Sequence, residues 1–225
     1  MDFENIPEIG KGSFTATEIA DILNVKYHHI HRWINIYWDG KLSKEYGEKY
    51  SWVTDGKRAV SFHTFVEFYV MMQFSEAGVK PREVMKAHTE LSELYNTAFP
   101  FALQHVLENI HTDKRKIYFD KDGSTLTLDG SKQFNLKLIQ DFCVKLEFNN
   151  ENLASKYYPL GKKKSIVIDP ERKFGQPVFK THNTFPDIIY DHYQAGESIE
   201  YIAAIYELNK AEVRDAIQYK SRRAA

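Results

Sequence analysis

The stretch FTATEIADILNVKYHHIHRW, residues 14–33, decides how this chain is read. Thr15 followed by Glu18 has the spacing of a capping box, in which each side chain satisfies a free backbone amide of the first helical turn. Ile19, Ile22 and Leu23 then share one helical face. Asn24 tolerates the left-handed conformation that ends a helix. A second helix is predicted from about Lys26 to Tyr37, with Ile30, Trp33, Ile34 and Tyr37 as its apolar face. Three histidines crowd its first half, and His28, His31, Arg32 and Asn35 lie opposite Ile30 and Ile34. Zinc would need a third and usually a fourth ligand, and no Asp, Glu or Cys stands between Val25 and Trp38. Metal binding therefore ranks below a plain solvated face, and both rank below contact with a polyanion.

Two short helices joined so tightly resemble a helix-turn-helix. Ile19 and Ala20 sit where that motif wants an apolar and then a small residue, and Asn24 takes the usual glycine place. Val25, Ile30 and Trp33 supply the inner contacts of the second helix. The resemblance implies that Lys26, Tyr27, His28, His31, Arg32 and Asn35 face the major groove. Downstream, β-prone residues flank Asp55-Gly56, a hairpin turn signal. Such a hairpin would be a wing with Lys57 and Arg58 at its tip, placed for phosphates. A thickly apolar helix around Phe65, Phe68, Tyr69 and Met72 follows, stopped at Ala77-Gly78, and Pro81 opens another near Arg82. From about Ser13 to Tyr95 this order is similar to the winged-helix domain of MerR-type regulators. It departs in lacking the long heptad helix that dimerises those proteins.

Composition sets the bounds. A chain of 225 residues holds one large domain or two small ones. Net charge is −1, so any nucleic-acid site has to be a local patch. The single Cys143 excludes an internal disulfide and fits a reducing compartment. No apolar run has the length of a membrane span, and MDFENIPEIG has no signal-peptide pattern, so the expectation is a cytoplasmic protein without membrane contact.

Residues 112–164 change character. KIYF and TLTL read as a β-hairpin with turns at Asp122-Gly123 and Asp129-Gly130. Asp120 and Asp122 lack the further ligands of a calcium loop. FNLKLIQDFCVKLEF predicts about two helical turns and a strand, with Cys143 as a packed small residue. Lys162, Lys163 and Lys164 read as a solvated linker. No phosphate loop, nucleophile elbow or HExxH stretch occurs, so neither catalytic residues nor a cofactor is expected.

From Ser165 to Asp169 a strand is predicted, and Val178-Phe179 a second one after the turn at Gly175 and Pro177. Thr184 and Ser198 read as caps of two helices, and a third runs from about Lys210 to Tyr219. Ile202, Ala203, Leu208, Val213 and Ala216 repeat the helix-turn-helix spacing. On "IDPE", "GQPVFK", "AGESIE" and "NKAEVRDAIQY" the segment resembles the family called domain of unknown function 433, a β-hairpin with a homeodomain-like three-helix unit. That family is similar to VapB-like antitoxins of type II toxin–antitoxin systems, whose partners are PIN-like ribonuclease toxins. The chain departs from it at Thr181, His182 and Asn183, where Gly, Thr and Arg are usual.

The expected fold is mainly α with small β-hairpins (α+β). It comprises a winged helix-turn-helix over 1–111, a connecting segment over 112–164 and the homeodomain-like module over 165–225. The resemblance implies an antitoxin that neutralises a PIN-like toxin and represses its own operon as a homodimer on operator DNA. Glu212 and Asp215 on the last helix disfavour that helix as a groove reader, so DNA goes to the N-terminal unit. Toxin contact goes to Arg172, Lys173, Phe174, Phe179, Lys180, Lys210, Arg214, Arg222 and Arg223, with Val178 and Phe185 as further apolar anchors. A stand-alone ligand-sensing regulator and, behind it, a metal-dependent hydrolase are the competing readings.

Overall fold

The computed structural model describes residues 11–54, 56–112, 117–121, 124–127, 142 and 144–222. Its architecture is α+β, with helices carrying the core and four small antiparallel sheets at the edges. Strand β1 (Phe14–Thr15) leads into α1 (Ala16–Leu23), and α2 (Tyr27–Arg32) follows. The predicted second helix does not stay α-helical to Tyr37: from Trp33 to Leu42 it widens into a π-helix, and α3 (Ser43–Tyr46) closes it. Gly40 permits this, because a Cβ there would stand 2.4 Å from the carbonyl oxygen of Asn35.

The hairpin around Gly56 forms as expected, from β2 (Ser51–Thr54) and β3 (Lys57–Val60). Sequence reading missed its third strand, since β1 pairs with β3 through Phe14 and Val60. Helix α4 (Phe62–Glu76) is buried from Phe62 to Phe74 apart from His63, which makes it the central rod of the core. Ser61 caps it, and α5 (Pro81–Tyr95) starts on a proline at the first helical position. Helix α6 (Gln104–Asn109) then leads to β4 (Ile110–Thr112), a strand the sequence did not announce. It pairs with β5 (Ile117–Lys121), which pairs with β6 (Ser124–Thr127), the predicted middle hairpin. Asp122-Gly123, Asp129-Gly130 and Cys143 lie outside the described residues.

Strands β7 (Leu146–Phe148) and β8 (Ala154–Tyr157) form a hairpin that joins the N-terminal core. The Tyr157 ring packs 4.9 Å from that of Tyr69 and 5.2 Å from that of Phe65. Residues read as a connecting segment thus complete the larger core, because their apolar side chains find its open flank. Nor is the lysine run wholly a solvated linker: Lys164 pairs with Asp215 at 2.8 Å.

The C-terminal module has β9 (Ile166–Val167) paired with β10 (Val178–Phe179), then α7 (Pro186–Gln194), α8 (Ile199–Ile205) and α9 (Lys210–Ser221). Its core gathers Ile166, Phe179, Ile189, Ile202, Val213, Ala216 and Tyr219. Ser198 caps α8 as predicted. Thr184 does not cap α7, which begins at Pro186 with no side-chain cap. The proline supplies the helical φ and has no amide to satisfy. No described helix is long and apolar enough to cross a membrane.

The module is seated on α1. Gln176 donates to Oε1 of Glu18, whose other oxygen completes the capping box with Thr15 at 2.7 Å. Gly175, at φ +82°, lies against Phe14 so closely that a Cβ would stand 2.3 Å from its ring. From the far end, Arg222 donates to the carbonyls of Ile22 (3.1 Å) and Pro159 (2.9 Å).

Candidate nucleic-acid interface and partner-binding module

The N-terminal face is built by the turn between α1 and α2. Asn24 sits at φ 56°, ψ 46°, as expected, and the amide of Val25 returns to the Ala20 carbonyl at 3.0 Å. That tight reversal buries Ile30, Trp33 and Ile34 and leaves Lys26, Tyr27, His28, His29, His31 and Arg32 exposed. Burial, and after it the nearby His28, Lys26 and Arg32, lowers the pKa of His29. Lys26 and Arg32 thus make the potential around His29 locally positive.

Asn35 and Arg58 behave differently from the other candidates. Asn35 donates to the His31 carbonyl at 2.8 Å and accepts from the Arg58 guanidinium. Arg58 also reaches Asp39 at 3.4 Å. Asp39 in turn accepts from the amides of Tyr50 (2.9 Å) and Ser51 (3.1 Å) at the base of β2. The hairpin and the π-helical segment after α2 are therefore tied together through Arg58, the neighbour of Lys57 on β3. Asp39 was not singled out from sequence, although an acid next to a glycine in an otherwise apolar helix was a usable signal.

In the C-terminal module the candidates divide. Arg172 is spent inside the module, donating to the carbonyls of Phe179 (2.9 Å), His182 (2.9 Å) and Lys180 (3.2 Å) and to Asn183. Asn183, at the point of departure from the family pattern, thus holds the arginine. Phe179 and Val178 are fully buried and present no anchor, because their strand faces the core; Phe185 is half-buried. Arg222 is held by backbone carbonyls and its guanidinium lies 4.5 Å from the Tyr219 ring centre. Phe174, in contrast, is 72% exposed, on a left-handed turn with Lys173, whose ammonium lies 6.0 Å from the ring of Phe185. Lys180 bonds the Lys162 carbonyl and stands 5.0 Å over the Tyr158 ring. Lys210 pairs with Glu200 at 2.8 Å, and Arg214 is exposed. Arg223 lies outside the described residues.

The acids of α9 do not repel anything outside. Glu212 is buried, caps Asn209 and accepts from Thr181 at 2.7 Å. Asp215 is buried and accepts from Lys164 and from the amide and hydroxyl of Ser165, each at 2.8–2.9 Å. The expectation that they face a groove is corrected: capping and strand anchoring turn them inward.

Two polar clusters escaped sequence reading. Glu67 and His88 form a fully buried pair at 2.5 Å, and Glu67 also accepts from the Phe101 amide at 2.9 Å. A lone acid in FVEFYVMM was its signal. His192 bridges Glu197 (2.7 Å) and the Tyr206 hydroxyl (2.6 Å), latching the end of α7 to the end of α8.

Comparison with known proteins bears on both halves. The chain is 25% identical to a protein described as "Putative antitoxin VapB45" from Mycobacterium tuberculosis (strain ATCC 25618 / H37Rv), over 73% of this chain and 72% of that protein. A crystal structure of Rv2018 from Mycobacterium tuberculosis superposes with a TM-score of 0.68 at 18% identity, covering 93% of this chain and 98% of that one, which is a likeness of fold. Residues 166–219, the C-terminal module, match the family model described as "Protein of unknown function (DUF433)".

Proposed function

We propose that this chain is a VapB-like antitoxin that also binds operator DNA. The observation that carries the antitoxin reading is the similarity to the mycobacterial protein of that description, running through most of both chains, together with the family match of the module. The DNA reading rests on the exposed face of Lys26, Tyr27, His28, His31 and Arg32, with Lys57 exposed on the β2–β3 hairpin and no acid between Val25 and Trp38. In this reading α1 and α2 act as a helix-turn-helix and the β2–β3 hairpin as its wing, as in MerR-type regulators. Asn35 and Arg58 set the angle between helix and wing, and either reaches DNA only by giving up the other. A homodimer fits a two-fold operator, since one unit reads too short a site.

The partner is a PIN-like ribonuclease held by the surface of the C-terminal module. Phe174 is the exposed apolar anchor, and Lys173, Lys180, Lys210, Arg214 and Arg223 supply cations toward the carboxylates of a metal-dependent nuclease. Arg172, Phe179 and Arg222 serve by shaping that surface from within.

Growth rescue tests the antitoxin reading. The full-length chain, co-expressed with each neighbouring gene product, should copurify with a toxic one and restore growth. Phe174→Ala with Arg214→Glu should weaken the rescue. If no neighbour is toxic, or if rescue is indifferent to the double change, the proposed mechanism fails. For DNA, Arg32→Ala should cost about 1–3 kcal/mol at a specific site if it reads a base.

A further inference from the structure

A cleft of about 480 Å³ opens where six separate parts of the chain meet: residues 11–12, the β2 strand, the start of α4, Phe99, the β7–β8 hairpin and the loop at 169–171. That volume is in the range of small-molecule sites, which favour such junctions. Trp52, Phe99 and Leu153 give it an apolar lining. The rings of Phe99 and His63 lie 5.5 Å apart along one side. Burial, with Lys11 adding to it, pushes the pKa of His63 down to about 4. At neutral pH the ring is therefore uncharged. One ring nitrogen bonds the backbone of Ala154, and in the neutral ring the other offers a lone pair to a donor.

Charges of both signs complete the lining. Glu151, Asp169 and Glu171 stand on it, and so do Lys11 and Lys156. Lys156 is bonded to Glu147 at 2.9 Å, and Asp169 accepts from the Glu171 amide at 3.0 Å, so these two are held in place. A metal ion is not the match: among the described residues no group of three or more His, Cys, Asp or Glu is arranged to hold one. A purely apolar ligand would leave the charged rim unused, and a purely cationic or anionic one would meet like charge.

We infer that this cleft binds a small zwitterion with an aromatic body, the chemical class of the aromatic α-amino acids. The ring lies on Trp52 and Phe99. The ammonium meets the carboxylates and the lone pair of His63, and the ligand carboxylate lies toward the lysines. Because β2 pairs with β3, which carries Lys57, and because Pro170 belongs to the C-terminal module, an occupant touches both the hairpin and the module.

Trp52 gives a direct readout. Trp33 and Trp38 are buried in the main core, whereas Trp52 lines the cleft. In full-length protein labelled with 5-fluorotryptophan, L-phenylalanine should shift the fluorine resonance of Trp52 alone, assigned by Trp52→Phe. The shift should saturate with a Kd below about 1 mM. Phenethylamine, which lacks the carboxylate, and N-acetyl-L-phenylalanine, which lacks the ammonium, should each bind at least about tenfold more weakly. Glu171→Lys, on an exposed side chain, should weaken L-phenylalanine by about tenfold while leaving the unfolding midpoint in place. A shift that does not saturate by about 10 mM overturns the site. Equal affinity for all three probes, or indifference to both Glu171→Lys and Glu151→Lys, overturns the zwitterion assignment and leaves only an apolar crevice.

Discussion

The helix pair α1–α2 and the helix pair α8–α9 share one backbone design and use it in opposite ways. Each reversal turns on a left-handed residue, Asn24 at φ 56° and Glu207 at φ 54°. Each then sends the next amide back five residues at 3.0 Å, from Val25 to Ala20 and from Leu208 to Ala203. Capping boxes mark both, Thr15 with Glu18 and Asn209 with Glu212. The difference lies in polarity. Helix α2 turns its cations outward and carries no acid, while α9 turns Glu212 and Asp215 inward and ties them to Thr181, Lys164 and Ser165. A shared reversal therefore says little about what a helix meets. The direction of its charged side chains says more.

The comparison breaks most severely if the two pairs lose their mutual support. Gly175→Val puts a side chain into the Phe14 ring at a left-handed φ, and should cost about 3–5 kcal/mol in urea unfolding. A smaller loss, with the module and main core melting separately, would show that the halves are stable apart.

Next comes Asp215→Ala, which leaves the Ser165 amide and hydroxyl without their acceptor and should cost about 1–3 kcal/mol. A cost near zero would mean that the inward acids are decorative. The difference between the two helices would then be one of appearance.

His63 sets a pH dependence on the N-terminal side alone. Its pKa falls from an ordinary 6.5 to about 4, so the unfolded chain takes up a proton before the folded one does. The contribution is intact above pH 6.5 and is lost as pH falls toward 4. A gap of that size is worth no more than about 3 kcal/mol, and solvent reaching the half-buried ring brings the expected loss nearer about 2 kcal/mol. His63→Gln should flatten the stability profile across that window; an unchanged profile assigns the acid sensitivity elsewhere.

The smallest effect on stability is the sharpest contrast with Asp215. Lys57→Ala should shift folding by less than about 0.5 kcal/mol, since the side chain is exposed and forms no ion pair among the described residues. Operator and random DNA should both bind more weakly, with a salt dependence shallower by about one unit. Intact binding to both removes Lys57 from the interface.

Much of the N-terminal unit could be read from its sequence because local chemistry fixes it. Thr15, Glu18 and Asn24 act within a few residues of themselves, and the Gly56 hairpin and Pro81 helix start obey equally local rules. The exposed cations of α2 could be read from periodicity, since Ile30, Trp33 and Ile34 had to face inward. Signals of the same kind were overridden where distant contacts entered. Thr184 had the chemistry of a cap and lost to Pro186. Glu207 adopts a left-handed turn without being Gly or Asn, held by the packing of Leu208.

What the sequence determined by itself, then, was which residues cap, turn and face the core, because those choices are made between near neighbours. Tertiary structure alone decided which charges stay available. Arg172 and Arg222 look as free in sequence as Arg214, yet carbonyls brought in from Phe179, His182, Pro159 and Ile22 consume their donors. Long guanidinium side chains bond whatever acceptors the fold leaves within reach, and those acceptors are remote in the chain. The cleft beside Trp52 is of the same origin. Its walls are drawn from residues 11 to 171, and no local pattern could have brought them together.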